Sequence, residues 1–158
     1  MRGFGGINIV LVEPEIPANT GNIARTCVIT GSTLHLVRPL GFSLEDRYLR
    51  RAGLDYWPLV AVRLWDDYGS FLDAHLGERF FFATTKATHA YHHIRYREGD
   101  FLVFGKESAG LPENVLKGEE ERMIRIPMRE GIRSHNLSNA VAIILYEALR
   151  QLSFPELG

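Results

Sequence analysis

Met123-Ile124-Arg125-Ile126-Pro127-Met128-Arg129-Glu130-Gly131-Ile132-Arg133-Ser134-His135-Asn136-Leu137-Ser138-Asn139 is the stretch on which the reading of this chain turns. A short apolar run stops at Pro127, and a polar loop containing Gly131 follows. The loop ends in Ser and Asn residues that open a long apolar helix, Leu137 to Leu152. In α/β proteins, loops that leave the carboxyl end of a strand and enter a helix are where ligands bind.

Upstream, other strands and helices alternate. Ile7 to Val12 is apolar except for Asn8, short and β-branched, which predicts a buried strand. Pro14 and Pro17 end it. Asn19-Thr20-Gly21-Asn22 supplies cap-type residues for a helix to about Ile29, with Gly31 past its end. Further strands are predicted at Leu34 to Val37, Leu59 to Leu64, Arg79 to Ala83, Phe101 to Phe104 and Met123 to Ile126. Helices are predicted at Leu44 to Ala52, Asp66 to Leu76, Pro112 to Leu116 and Leu137 to Leu152. Apolar strands alternating with helices imply an α/β fold, a mostly parallel sheet with helices on both faces. Four polar segments follow strands: Glu13 to Asn22, Thr84 to Gly99, Gly105 to Leu111 and Pro127 to Asn136. In a parallel sheet these converge on one edge and form a crevice.

The 158 residues suit one domain, 1–158, with no linker or repeat. Hydrophobic content of 46% and charged content of 23% are those of a soluble globular protein. No run of about 18 apolar residues is present to span a membrane. The first residues lack a signal-peptide pattern. Cys27 is the single cysteine, so no internal disulfide and no zinc-ligand set is expected. A cytoplasmic protein is the expectation. The net charge of -1 excludes a broadly basic nucleic-acid coat but leaves room for a local basic patch.

Gly105-Lys106-Glu107-Ser108-Ala109-Gly110-Leu111-Pro112 fails two templates. A phosphate-binding Walker loop needs Lys after its second glycine, where Leu111 stands. A nucleophile elbow needs Gly two residues before its serine, where Lys106 stands. What remains is a glycine-bearing strand-to-helix loop that brings backbone close to a ligand, or a plain tight turn. Asn19, Asn22 and Arg25 stand three apart near a helix start, suited to an anion or nucleotide. N-capping plus a solvated arginine is the alternative. Arg47, Arg50 and Arg51 form a basic stripe. Lys86, His89, His92, His93, Arg95 and Arg97 interleave with Tyr91 and Tyr96, a composition that suits phosphates and stacked bases or simply a solvated loop. His92-His93 has no carboxylate or Cys at ligand spacing, so no metal site is expected.

On the last helix, Leu137, Val141, Ile144, Leu145, Ala148 and Leu152 share one face at about 100° per residue, while Ala140 and Ile143 extend the apolar surface beyond it. A helix apolar almost all round is central or meets a second chain. Being terminal, it points to a homodimer.

Three ordered segments resemble the motifs of SPOUT-class RNA ribose 2′-O-methyltransferases (the TrmH superfamily). The first is Asn8 to Pro17 with Asn19-Thr20-Gly21-Asn22-Ile23-Ala24-Arg25. The second is Phe104 to Pro112. The third runs from Ile126-Pro127-Met128 through Ser134-His135-Asn136-Leu137-Ser138-Asn139-Ala140. Arg50-Arg51-Ala52-Gly53-Leu54-Asp55-Tyr56 and Thr84-Thr85-Lys86 add detail. The likeness spans nearly the whole chain and is nearest to the minimal TrmL-type members, which act on the wobble nucleotide of tRNA. It implies a C-terminal deep trefoil knot and S-adenosylmethionine as cofactor, held by Ala83, Gly105, Ile126, Ser134 and Leu137. It also implies a catalytic and RNA-facing set of Arg25, Asn19, Glu107, Ser134 and Asn136. The implied reaction is 2′-O-methylation of a wobble cytidine or modified uridine, with tRNA bound through its anticodon stem-loop and a dimer formed through the last helix. Another tRNA or rRNA site is the alternative within the class. Outside it stand a nucleotide-binding phosphotransferase or hydrolase and a non-catalytic RNA-binding module. Relatives often carry Pro or Ser at the position of Lys106, Arg or Lys at that of Ala109, and Leu at that of Ala83, so charge in the second loop has moved.

Overall fold

The computed structural model describes residues 3–53 and 56–158. Leu54 and Asp55, part of the resemblance at Arg50 to Tyr56, lie outside the described residues. The elements run β1 (Asn8–Val12), α1 (Pro17–Thr30), β2 (Thr33–Val37), α2 (Arg47–Gly53), β3 (Ala61–Trp65), α3 (Tyr68–Asp73), β4 (Phe80–Ala83), β5 (His89–Ala90), β6 (Phe101–Phe104), α4 (Glu113–Leu116), β7 (Met123–Arg125) and α5 (Leu137–Gln151). Short 3₁₀ turns fill Trp57–Leu59, Tyr91–His93 and Glu120–Arg122.

The seven strands lie in the order β3-β2-β1-β6-β4-β7-β5, and every ladder is parallel. The two-per-residue alternation of a strand divides the core between the two faces. On one face Ile9 and Leu11 of β1, Leu34 and Leu36 of β2, and Leu102 and Phe104 of β6 meet Ile23, Ala24 and Cys27 of α1 and Val141, Ile144 and Leu145 of α5. On the other, Val10, Val12, Phe80, Phe82, Phe101 and Val103 meet Phe71 of α3 and Val115 and Leu116 of α4. Each fully buried side chain of this size stabilises the fold by about 1.5–3 kcal/mol relative to exposure, before conformational entropy is subtracted. The sheet is therefore buried on both sides, as its continuous apolar strands require.

Local chemistry moves several predicted boundaries. α1 begins at Pro17, not at Asn19: proline sits in its first turn, where its missing N–H costs nothing, and Ile16 is the N-cap without a side-chain cap. Gly31, at φ 71°, ends it, with N–H groups returning to the carbonyls of Cys27 and Val28. Leu59 belongs to a turn ahead of β3 rather than to the strand. α3 is shorter than predicted because Asp67 caps it, accepting from the Ser70 N–H at 2.7 Å. The two-residue β5 was outside the prediction. Among the described residues no helix is long and apolar enough to cross a membrane, and no three His, Cys, Asp or Glu gather as a metal-holding group.

α5 buries Leu137, Val141, Ile144, Leu145, Ala148 and Leu149 against the sheet and α1. Its far side carries the half-buried Ile143 and the exposed Tyr146, whose ring lies 6.4 Å from that of Phe154.

Candidate active site

Because all ladders are parallel, the loops after β1, β4, β6 and β7 leave one edge of the sheet. There they enclose a cavity of about 470 Å³, within the usual size of small-molecule sites. Phe104, Ile124, Ile126, Leu137 and Ile144 give it an apolar wall, and Asn19, Thr84, Thr85, Ser134 and Asn136 line the remainder. Of the positions singled out from sequence, Ala83, Gly105, Ile126, Ser134, Leu137, Asn19, Glu107 and Asn136 all line this cavity.

A hydrogen-bonded chain fixes three of them. Glu107, from the β6 loop, accepts the backbone N–H of Glu15 at 2.8 Å on Oε1 and that of Ile16 at 2.8 Å on Oε2. Its Oε2 also accepts from Asn19 Nδ2 at 3.1 Å. Glu107 thus places a carboxylate at the entry of α1, where free N–H groups and the helix dipole favour negative charge. Asn19 is 6% exposed, and its Oδ1 accepts from Asn136 Nδ2 at 3.2 Å. Asn136 in turn caps α5, its Oδ1 accepting from the N–H groups of Ser138 at 2.9 Å and Asn139 at 3.3 Å. One polar chain therefore joins the β6 loop, the start of α1 and the start of α5. Ser134 stands beside it at the cavity, and among the described residues its hydroxyl has no protein partner.

Gly105 is required by close approach: a Cβ there would lie 2.0 Å from the Gly110 carbonyl carbon. Gly110, at φ 70°, closes the loop by donating its N–H to the Lys106 carbonyl at 2.8 Å. The cavity thus meets bare backbone at Gly105.

Arg25 is the one predicted site residue outside the lining. It is exposed, with its guanidinium 4.9 Å from the centre of the Tyr56 ring. Asn19, Asn22 and Arg25 accordingly do not form one anion site: Asn19 is buried and committed to Glu107 and Asn136, while Asn22 and Arg25 face solvent. In the basic stripe Arg50 is tied to the Leu44 carbonyl at 3.0 Å and to Glu45 at 3.1 Å, and Arg47 and Arg51 remain exposed. In the basic–aromatic segment Tyr96 is no stacking platform. It is 2% exposed and donates its hydroxyl to the Tyr91 carbonyl, and Gln151 of α5 binds both the Tyr96 N–H and the Ile94 carbonyl at 2.9 Å.

Sequence reasoning missed Glu13, Glu15, Ser108 and Arg133. Glu15 Oε1 accepts from Ser108 N–H at 2.9 Å and Ser108 Oγ at 2.6 Å, and these bonds hold its carboxyl below the usual carboxylate range. Arg133 Nη2 donates to the Ser108 carbonyl at 3.0 Å. Lys106, the charge at a departing position, stands 3.5 Å from Glu13 Oε1. A usable signal was present: two carboxylates, Glu13 and Glu15, directly after a buried strand, with a lysine and an arginine in two other post-strand loops.

The family model described as the SpoU rRNA methylase family matches residues 6–146. The chain is 52% identical over 150 residues to the Escherichia coli K12 protein named tRNA (cytidine(34)-2′-O)-methyltransferase, covering 94% of this chain and 96% of that protein. A solved structure described as giving structural insights into the 2-OH methylation of C/U34 on tRNA superposes with a TM-score of 0.89 at 49% identity, covering 93% of this chain and 96% of the other. An AdoMet-bound rRNA methyltransferase from Sinorhizobium meliloti gives 0.84 at 25% identity, with 94% of this chain covered and 57% of that one. With a family model spanning most of its length and a relative identical at half of its positions, this chain belongs to the SpoU rRNA methylase family.

Proposed function

We propose that the protein methylates the ribose 2′-oxygen of the wobble nucleotide, cytidine or modified uridine, in the anticodon stem-loop of tRNA, using S-adenosylmethionine. The observation that carries this is the cavity: four post-strand loops converge there with Asn19, Gly105, Glu107, Ser134 and Asn136 on its wall. The E. coli relative named for cytidine-34 supports the substrate. The lining fits the cofactor, since an apolar wall suits a planar base, and bare backbone at Gly105 and the Ser134 hydroxyl suit its polar groups.

When bound, S-adenosylmethionine supplies an electrophilic methyl carbon on a sulfonium. What the chain must do is bring the ribose 2′-oxygen to that carbon and let its proton leave. The residues' part is alignment. Glu107 does not serve as the base, because its carboxylate already accepts from Glu15, Ile16 and Asn19; it anchors the α1 entry. Asn136 and Asn19 hold the cavity side of α5, and Ser134 orients ribose and cofactor. Arg25, always charged, grips a tRNA phosphate and the ribose, so the phosphate or a water takes the proton. The unusual strand order supports a C-terminal knot, with β6 and β7 each inserted between strands laid down earlier. The apolar far side of α5 supports a homodimer, and the enzyme works in the cytoplasm on free tRNA.

Calorimetry tests the class: S-adenosylmethionine is expected to bind and ATP not to. Binding of ATP alone, or of tRNA with no cofactor binding, would overturn it. Mass spectrometry of tRNA from a deletion strain is expected to lack one ribose methyl at the wobble position.

A further inference from the structure

The loops after β1, β6 and β7 are joined at the cavity rim by a second set of bonds, separate from the Glu107 chain. Ser108 is its junction. Its N–H and hydroxyl both go to Glu15 Oε1, at 2.9 and 2.6 Å, and its carbonyl accepts from Arg133 Nη2 at 3.0 Å. One serine peptide is thus held between a carboxylate from the β1 loop and a guanidinium from the β7 loop. The β1 and β6 loops are also reciprocally linked, since Glu107 accepts the backbone N–H of Glu15 while Glu15 accepts that of Ser108. Arg133 immediately precedes Ser134, which lines the cavity. The segment from Arg129 to Asn136 is otherwise solvent-facing and makes few bonds of its own: the Ile132 N–H to the Arg129 carbonyl at 3.3 Å, the Arg133 bond, and Asn136. Among the described residues the Arg133 bond is therefore the side-chain tie that fixes this segment between its two ends.

Resting on the methyltransferase reading, we propose that Glu15, Ser108 and Arg133 form a clasp that holds the β7 loop over the cavity, which makes Glu15 and Ser108 positioning residues for the cofactor. Neither touches the reacting atoms. Glu15 stays ionised, so its bonds to Ser108 are charge-assisted. The clasp is solvent-exposed, so each bond is worth little and it opens readily to admit a ligand. It acts on cofactor retention rather than on the chemical step.

Glu15→Gln, Ser108→Ala and Ser108→Thr test this in the full-length protein. Glu15→Gln and Ser108→Ala are expected to raise KM and Kd for S-adenosylmethionine about five-fold with kcat within about two-fold, and Ser108→Thr, which keeps the hydroxyl, to restore wild-type values. The double variant Glu15→Gln/Ser108→Ala is expected to lose less than the product of the two single losses, since both act on the one Glu15–Ser108 contact. A parallel arm needs no cofactor: trypsin is expected to cut after Arg129 several-fold faster in Glu15→Gln than in wild type. Unchanged cleavage, or a loss confined to kcat, overturns the clasp. Failure of wild type to bind S-adenosylmethionine overturns the functional reading instead, and the cleavage arm still judges the clasp.

Discussion

Arg25 separates two jobs that share one helix. Asn19, six residues before it, is locked into the cavity wall, while Arg25 projects to solvent over Tyr56. If it holds the tRNA and not the cofactor, Arg25→Ala is expected to lower methyl transfer at least ~100-fold, since misplacing a nucleophile is costly, and to leave S-adenosylmethionine affinity within about two-fold. Radiolabel transfer and calorimetry on the same preparation check this, and near-normal transfer would sink the role. At this scale the sequence was informative about identity and uninformative about partnership. Asn19, Glu107 and Asn136 could be named from their motifs, but their mutual bonding depends on three loops meeting in space. Glu15 and Ser108 lay inside the first and second motifs but were given no role, and Tyr96, taken as a surface aromatic, turned inward because a neighbouring carbonyl and α5 offered it partners. The Cys27 thiol is buried and pushed up to about 12 by desolvation, which leaves it unreactive.

Among the elements, the β6 loop tolerates no side chain at its first position. Gly105→Ala is expected to cost more than ~2 kcal/mol of stability, because the clash is with backbone that cannot rotate away. Urea denaturation measures it, and a wild-type midpoint would contradict the tight-turn account. Across β1, β2 and β3, His35 acts as a cross-strand pin. Trp65 Nε1–H donates to its Nδ1 at 3.0 Å, so its proton sits on Nε2, 3.0 Å from Asn8 Oδ1. Burial, then the nearby His75 and Arg63, lowers its pKa to about 4. An unfolded histidine titrates near 6.5. Between these values the unfolded chain binds the extra proton, so the stability present above pH ~6.5 is lost as pH falls toward 4, by up to ~3 kcal/mol. His35→Gln is expected to remove that portion of the pH slope, read from urea midpoints across pH 4–7; an unchanged slope would assign it to other groups. Element types were legible from apolar runs and turn residues. The start of α1 was misplaced because Asn19 looked like a cap while Pro17 already served as the first turn, and β5 escaped because two half-buried residues leave no periodicity.

For the whole molecule, a parallel α/β fold with ligand loops on one edge followed from strand–helix alternation, but strand order did not. Periodicity records which side of a strand is apolar, not which strand lies next to it. The second face of α5 belongs to this scale too. If it joins two copies, the double variant Ile143→Glu/Tyr146→Glu is expected to halve the mass seen by light scattering and to lower methyl transfer with it, because the cavity lies at the same helix's start. A variant that stays paired and fully active would place the interface elsewhere.

The insertion of β6 between β1 and β4 also constrains the order of assembly. Until residues 101–104 emerge from the ribosome, β1 has no neighbour on that side, and the backbone N–H and C=O groups along that edge stay unpaired. No N-terminal portion can therefore complete its own sheet during synthesis. The last third of the chain must enter a gap already flanked on both sides, a non-local step that slows folding and exposes the nascent chain to aggregation. Truncation late in the gene is then expected to yield an unfolded product, not a smaller working domain.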